Sequence, residues 1–195
     1  NTPPATTTPV ATNTLTPGPS PTATATPTVT PTPTNTSAST LLTLGAVADA
    51  RVLQSSAGSN YGTLSRLDVD SPGEQSYLRF SVSGVTGAVQ SATLRLFVSN
   101  GSSNGPSLYS TDNSWTETGI TWNNRPAATS GVLADVGAIV AGAWAEYNVT
   151  AHVTGNGVYN FILLPDNTDG VRFDAREGSS PPELVLTFNT GPTPT

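Results

Sequence analysis

From residue 41 onward, short apolar stretches alternate with polar residues in steps of two, and this period limits what the chain can fold into. In "SYLRFSV", Leu78, Phe80 and Val82 fall on one face and Tyr77, Arg79 and Ser81 on the other, because successive side chains of an extended strand point to opposite sides. "SATLRLFVS" repeats the pattern, with Ala92, Leu94, Leu96 and Val98 inward and Thr93, Arg95, Phe97 and Ser99 outward. "GAWAEYNVT" puts Ala145, Tyr147 and Val149 inward and Trp144, Glu146 and Asn148 outward; "VYNFILL" is apolar on both faces and suits a central strand. "DGVRFDA" and the closing "ELVLTF" complete the set. Turn signals at "SPGE", "SGVTG", "SNGSSNGP", "NNRPAATSG" and "PDNTDG" divide the region into roughly nine to eleven strands. The one helical candidate is a turn at "TAHVTG", which Thr150 could cap and Gly155 and Gly157 stop. A sheet with one apolar face must bury it against another, so the predicted fold class is all-β: an antiparallel two-sheet β-sandwich (jelly roll), each sheet keeping one wet face.

The first forty residues obey different rules. They hold nine of the 17 prolines, no charged side chain, and only Val10, Leu15 and Val29 as large apolar groups. Such a segment cannot bury enough apolar surface to offset the entropy of ordering. The reading is therefore an extended, polyproline-II-like Thr/Pro tail or linker over 1–40, one sandwich domain over 41–189, and the start of a second Thr/Pro linker at 190–195. The opening "NTPPATTTP" and closing "NTGPTPT" would join into one continuous linker if modules followed each other. A unit of a larger array and a processed monomer with two frayed ends both fit that pattern.

In "PTATATPTVTPTPTNT" threonine stands at every even position. A polyproline II helix has about three residues per turn, so steps of two deal these threonines onto all three faces. Thr22, Thr24, Thr26, Thr28, Thr30, Thr32, Thr34 and Thr36 are thus candidate O-glycosylation sites of a sheathed, extracellular stalk. Fully extended, forty such residues reach about 120 Å. Prolines 27, 31 and 33 remove backbone donors and disfavour this segment as a strand in another sheet, whereas "VATNTL", Val10 to Leu15, could add to a sheet edge. Asn35, Asn100 and Asn148 lie in Asn-x-Ser/Thr sequons.

The net charge is -6 and all seven basic residues are arginine, a poor match to a phosphate backbone, so nucleic acid is not an expected partner. No apolar run approaches the roughly 20 residues that span a bilayer, and no signal peptide opens the sequence, as in a mature or excised product. With no cysteine, disulfides, thiolate metal sites and cysteine nucleophiles are all excluded.

Several segments together resemble the DNRLRE-type domains of secreted bacterial proteins, grouped with carbohydrate-binding modules. They are "ADARVLQSSAGSNYGTLSRLDV", "YLRFSVSGVTGAVQSATLRLFV", "SWTETGITWNNRP", "AWAEYNVTAHV" and "VRFDAREGSSPPELVLTF", in the family's order across residues 46 to 188. The most specific element is Trp-x-Glu-x-x-Ile-Thr-Trp-Asn-Asn-x-Pro, Trp115 to Pro126. The resemblance implies a jelly-roll sandwich without catalysis of its own, appended to lyases, hydrolases or surface proteins, some relatives binding acidic polysaccharide such as alginate.

The residues agree with a non-catalytic role. His152 is the only histidine and lies in a glycine-rich turn, a poor base for a nucleophilic triad. Asp68 and Asp70 share one strand face, and Asp112, Glu117, Asp166, Asp169 and Asp174 sit near strand ends, but no spacing singles out a catalytic pair. No cofactor is expected beyond a structural Ca²⁺, for which Asp49 and Glu177 are the candidates and "PDNTDG" reads rather as a plain turn. Sugar binding would draw on the outward Tyr77, Arg79, Arg95, Trp144 and Arg172, aromatic faces stacking on rings and arginines meeting uronates. The same arginines could instead pair with the cross-strand acids Glu146, Asp174 and Asp68. Trp115 and Trp122 read as structural, bracketing a long loop.

Two functions follow from the sequence. The first is a structural building block of a cell-surface appendage or fibre on a glycosylated stalk, with copies of itself or neighbouring surface modules as partners. The second is a carbohydrate-binding module for acidic polysaccharide, appended to a larger secreted enzyme. Both are extracellular or cell-surface readings, with attached or bound glycans as partners and neither nucleic acid nor a membrane span.

Overall fold

The computed structural model describes residues 2, 4, 9, 11–13, 18 and 38–190. The candidate glycosylation sites Thr22 to Thr36, Asn35 and residues 191–195 lie outside the described residues.

Ten strands form: β1 Ala38–Gly45, β2 Ala48–Leu53, β3 Arg66–Val69, β4 Glu74–Val82, β5 Val89–Asn100, β6 Ser107–Ser110, β7 Trp144–Asn148, β8 Gly157–Leu164, β9 Val171–Asp174 and β10 Glu183–Thr190. They build two antiparallel sheets, a six-stranded one in the order β1-β10-β5-β9-β3 with β7 also paired to β5, and a four-stranded one in the order β2-β4-β8-β6. The chain changes sheet at every step from β1 to β9, so neighbouring strands come from distant parts of the sequence. The fold is the expected all-β sandwich. No helix among the described residues is long and apolar enough to cross a membrane.

β1 begins at Ala38, three residues before Leu41, the first large apolar residue of the region, because Ala38, Ser39 and Thr40 pair with Thr190, Asn189 and Phe188; backbone pairing needs no large apolar side chain. The "TAHVTG" segment is a turn in which His152 and Val153 N–H both donate to the Val149 carbonyl. Its Thr150 hydroxyl accepts from the Ala92 N–H at 2.9 Å, anchoring the turn to β5 instead of capping a helix.

The main core lies between the sheets. Leu78, Phe80 and Val82 of β4 meet Leu94, Leu96 and Val98 of β5, with Tyr147, Phe161, Phe173 and Leu186 around them. A second apolar cluster occupies the far side of the four-stranded sheet, where Ala48, Ala50, Val52, Tyr77 and Ile162 are covered by Trp115 and Ile120. This corrects the expectation that each sheet keeps a wet face. The double-faced β8 is explained by the same arrangement: Phe161 and Leu163 enter the main core, Ile162 the second cluster.

Polar contacts fasten the covering loop. Asn60 Nδ2 donates to the carbonyls of Glu117 and Ile120, both at 2.7 Å. Tyr77 Oη donates to the Pro126 carbonyl at 2.8 Å, and Arg79 Nη2 to the Trp115 carbonyl at 2.6 Å. Gly62 permits the approach, since a Cβ there would collide with the Glu117 carbonyl.

Candidate functional site

The strongest concentration of chemistry lies where the edge strands of the two sheets meet. Alternation turns Asp68 of β3 away from the main core while Leu67 and Val69 enter it, and pairing sets Arg172 of β9 directly opposite Asp68. Arg51 reaches Asp68 from β2 of the other sheet, a buried ion pair on Asp68 Oδ2. Arg66 Nε stands 3.1 Å from the same oxygen, and Arg172 Nε donates to Oδ1 at 2.9 Å. One carboxylate, its side chain 8% exposed, thus orients three guanidiniums, and the side chains of Arg66 and Arg172 remain 44% exposed.

These residues line a cleft of about 180 Å³ together with Asp70, Glu74, Asn100, Gly170 and Val171. Arg51 Nε and Asp70 Oδ1 are buried there without a hydrogen-bond partner, and such groups ordinarily find a polar partner. Arg51 also lies over the Tyr61 ring, 4.9 Å from its centroid. Burial, and then the negative charge of Asp68, holds the Glu74 carboxyl above its usual range. The cleft therefore offers guanidinium N–H groups as donors beside carboxylates as acceptors, a combination that suits a ligand carrying both an acid group and hydroxyls.

The five residues named from sequence for sugar contact do not share a face. Tyr77 is fully buried, packed edge-to-face on Trp115 with ring centroids 5.8 Å apart, so it presents no surface to a sugar; its position is outward from the main core, but the 115–126 loop covers it. Arg79 lies over the Trp115 ring at 4.5 Å and donates from Nε to Asn160 Oδ1 at 2.7 Å. Arg95 and Trp144 meet on the outside of the six-stranded sheet, the guanidinium 4.5 Å from the ring centroid. There Arg95 also pairs with Glu146 at 3.0 Å and Glu183 at 2.7 Å, and Phe97 meets Trp144 edge-on. Only Arg172 stands in the cleft. Asp174, suggested as an arginine partner, accepts from the Ser180 N–H at 3.0 Å.

Arg66 shares the Asp68 face of β3 by alternation, two residues before it, but Arg51 carries no mark in the sequence that sets it apart. Arg51 follows the main-core parity of β2, opposite Ser76, and a charge at such a position announces a buried partner without naming it. The one available signal is the pairing of charged Asp49 and Arg51 with apolar Ala48, Ala50 and Val52 on the other side of one strand.

Asp49 and Glu177, the calcium candidates, belong to a second charged node. Asp49 is buried, accepts from the Arg176 N–H at 2.7 Å, and donates from its own N–H to Glu117 Oε1 at 3.0 Å. The Arg176 side chain grips Glu117 through Nε at 3.0 Å and Nη2 at 2.7 Å and reaches Glu177 at 2.9 Å, so a guanidinium supplies positive charge between the carboxylates. Burial, with Glu177 and Glu117 adding to it, pushes the Asp49 carboxyl up to about 7. No group of three or more His, Cys, Asp or Glu residues is in metal-holding geometry among the described residues. His152 lies edge-on to Tyr159 and Phe161, where burial lowers its pKa.

Residues 40–188 match carbohydrate-binding module family 96, and the chain belongs to that family, a class of non-catalytic binding modules. No curated protein matches the chain.

Proposed function

We propose that the protein is an extracellular, non-catalytic module that binds acidic polysaccharide, and that its binding cleft is the Asp68-centred cluster of Arg51, Arg66 and Arg172. The observation that carries this reading is the exposed pair of guanidiniums on Arg66 and Arg172, held by a shared buried carboxylate. A guanidinium fork fits a sugar carboxylate in bidentate geometry, and fixing it in advance lowers the entropy lost on binding. Family membership favours this reading over a fibre building block. The Thr/Pro segment then acts as a tether, O-glycosylated on Thr22 to Thr36, to whatever the module is joined to.

Affinity electrophoresis in gels containing a polyuronate or a neutral glucan tests the proposal. The wild type should be retarded by the polyuronate alone, and the Arg66→Ala/Arg172→Ala double variant should lose at least about tenfold in affinity, about 1.4 kcal/mol. Retention lost instead in Arg95→Ala/Trp144→Ala would move the site to the outer face of the six-stranded sheet.

A further inference from the structure

Arg125 differs from the other arginines in what it holds. Arg51, Arg66, Arg95, Arg172 and Arg176 pair with carboxylates, and Arg79 is bound to Asn160 and the Trp115 carbonyl. All 13 Asp and Glu residues lie between Asp49 and Glu183, within the described residues, and Arg125 pairs with none of them. Its guanidinium carbon lies 3.5 Å from the Trp122 ring centroid. Nη1 donates to the Trp122 carbonyl, and Nε donates to Gln75 Oε1 at 3.0 Å. A guanidinium has five N–H donors, so three, on Nη1 and Nη2, have no partner among the described residues. Gln75 is in a similar position. Its Oε1 is committed to Arg125 Nε, with Tyr77 Oη 3.3 Å away, and its Nε2 donors have no partner among the described residues.

These two side chains line a cleft of about 330 Å³, whose other walls are Pro126, Ala127, Ala128, Ile162 and Leu164. Ligand sites commonly measure about 300–1,000 Å³ and combine apolar walls with a few placed polar groups. The walls here are tied down: the Pro126 carbonyl accepts from Tyr77 Oη and the Ala127 carbonyl from Thr111 Oγ1, both at 2.8 Å. No acid lines this cleft, whereas Asp70 and Glu74 share the Asp68 cleft with its arginines.

We propose that the Arg125 cleft is a second subsite for acidic polysaccharide, in which Arg125 and the Gln75 amide bind the carboxylate of one uronate while the apolar walls carry the C–H face of its ring. The subsite rests on the acidic-polysaccharide reading above and adds to it a place that the Asp68 cluster does not supply. Charge complementarity selects the occupant: a cationic donor pair without a counter-ion takes an anion, and a guanidinium immobilised on Trp122 and Gln75 has less entropy to lose on binding. The chain's own ends offer no acidic side chain to it, because residues 1–40 and 191–195 contain neither Asp nor Glu. Glu74 lines the Asp68 cleft and its neighbour Gln75 lines this one, so by alternation the two subsites lie against opposite faces of the same strand end. A polymer with repeated uronates that meets both gains avidity, since its second contact is intramolecular.

With seven arginines and no lysine, arginine Nε–H signals in NMR spectra of the full-length protein report on each guanidinium separately. Trigalacturonate should shift the Arg125 signal, and the shift should persist in Arg66→Ala/Arg172→Ala. Maltotriose and acetate at the same concentrations should leave it in place. Gln75→Glu sets a carboxylate against Arg125 Nε, which keeps the loop contact and neutralises the cleft. With an unchanged circular dichroism spectrum, this variant should bind trigalacturonate at Arg125 at least about tenfold more weakly. If Arg66 and Arg172 respond to trigalacturonate and Arg125 does not, the second subsite falls while the Asp68 cleft stands. If no arginine responds, both fall. A response of Arg125 to maltotriose or acetate equal to that with trigalacturonate, or undiminished binding there in Gln75→Glu, would also overturn the proposal.

Discussion

The outer faces of the two sheets share similar sequence patterns and end in opposite environments. On the four-stranded sheet, Tyr77 and Ile162 lie beneath Trp115 and Ile120, and the polar groups there serve to hold a loop. On the six-stranded sheet, Arg95, Trp144, Glu146 and Glu183 remain at the surface, and the polar groups hold one another. The same residue type therefore has a different energetic role on each face. Arg79 ties sheet to loop through a backbone carbonyl, whereas Arg95 makes cross-strand ion pairs that water screens.

Trp115→Ala should disturb that difference most. Removing a large buried aromatic that seals a face should cost about 3–5 kcal/mol, read as a lower urea midpoint and accompanied by faster hydrogen exchange in residues 116–126. Stability hardly changed from wild type would mean that the loop covers the sheet without sealing it.

Next in size is a pH effect at the node that joins the loop to β2. The Asp49 carboxyl is raised to about 7 from 3.8, so between those values the folded protein holds a proton that the unfolded chain releases. Stability from this group is therefore greatest below pH 4, falls as pH rises toward 7, and stays low above it. Asp49→Asn keeps the acceptor for the Arg176 N–H and removes the titration. The variant should match wild type near pH 4 and exceed it near pH 8, by a few kcal/mol at most, in urea melts at the two pH values. An equal gap at both would assign the effect to packing instead of charge.

The smallest effect belongs to the open face. Arg95→Ala breaks two ion pairs and a stack on Trp144, yet should cost only about 0.5–1 kcal/mol, a loss that shrinks in high salt. A cost comparable to that of Trp115→Ala would erase the contrast between the faces.

Much of the architecture is legible in the residues alone. The inward sets of β4, β5 and β7 follow from alternation, and Leu78, Leu94 and Tyr147 are buried as that pattern requires. The apolar outer side of β8 signals a covered face, but its cover comes from a loop without periodicity, so alternation cannot identify it. The cleft is half visible. Asp68 and Arg172 both stand out, as acid and base on outer faces, and Arg66 shares the Asp68 face of β3 by alternation, whereas Arg51 joins them only because β2 and β3, in different sheets, end up side by side. Glu117 reads as a strand-end acid, and its grip by Arg176, 59 residues away, has no local signature.

What the sequence determined by itself is the fold class, the sides of most strands, and the break in composition near residue 40, because these depend on the period of apolar residues and on whether a segment can bury any. Which outer face is covered and which carboxylate gathers three arginines were decided by the tertiary structure. Each depends on strands and loops distant in the chain becoming neighbours, and on buried charge finding its partner there at the cost of its contact with water.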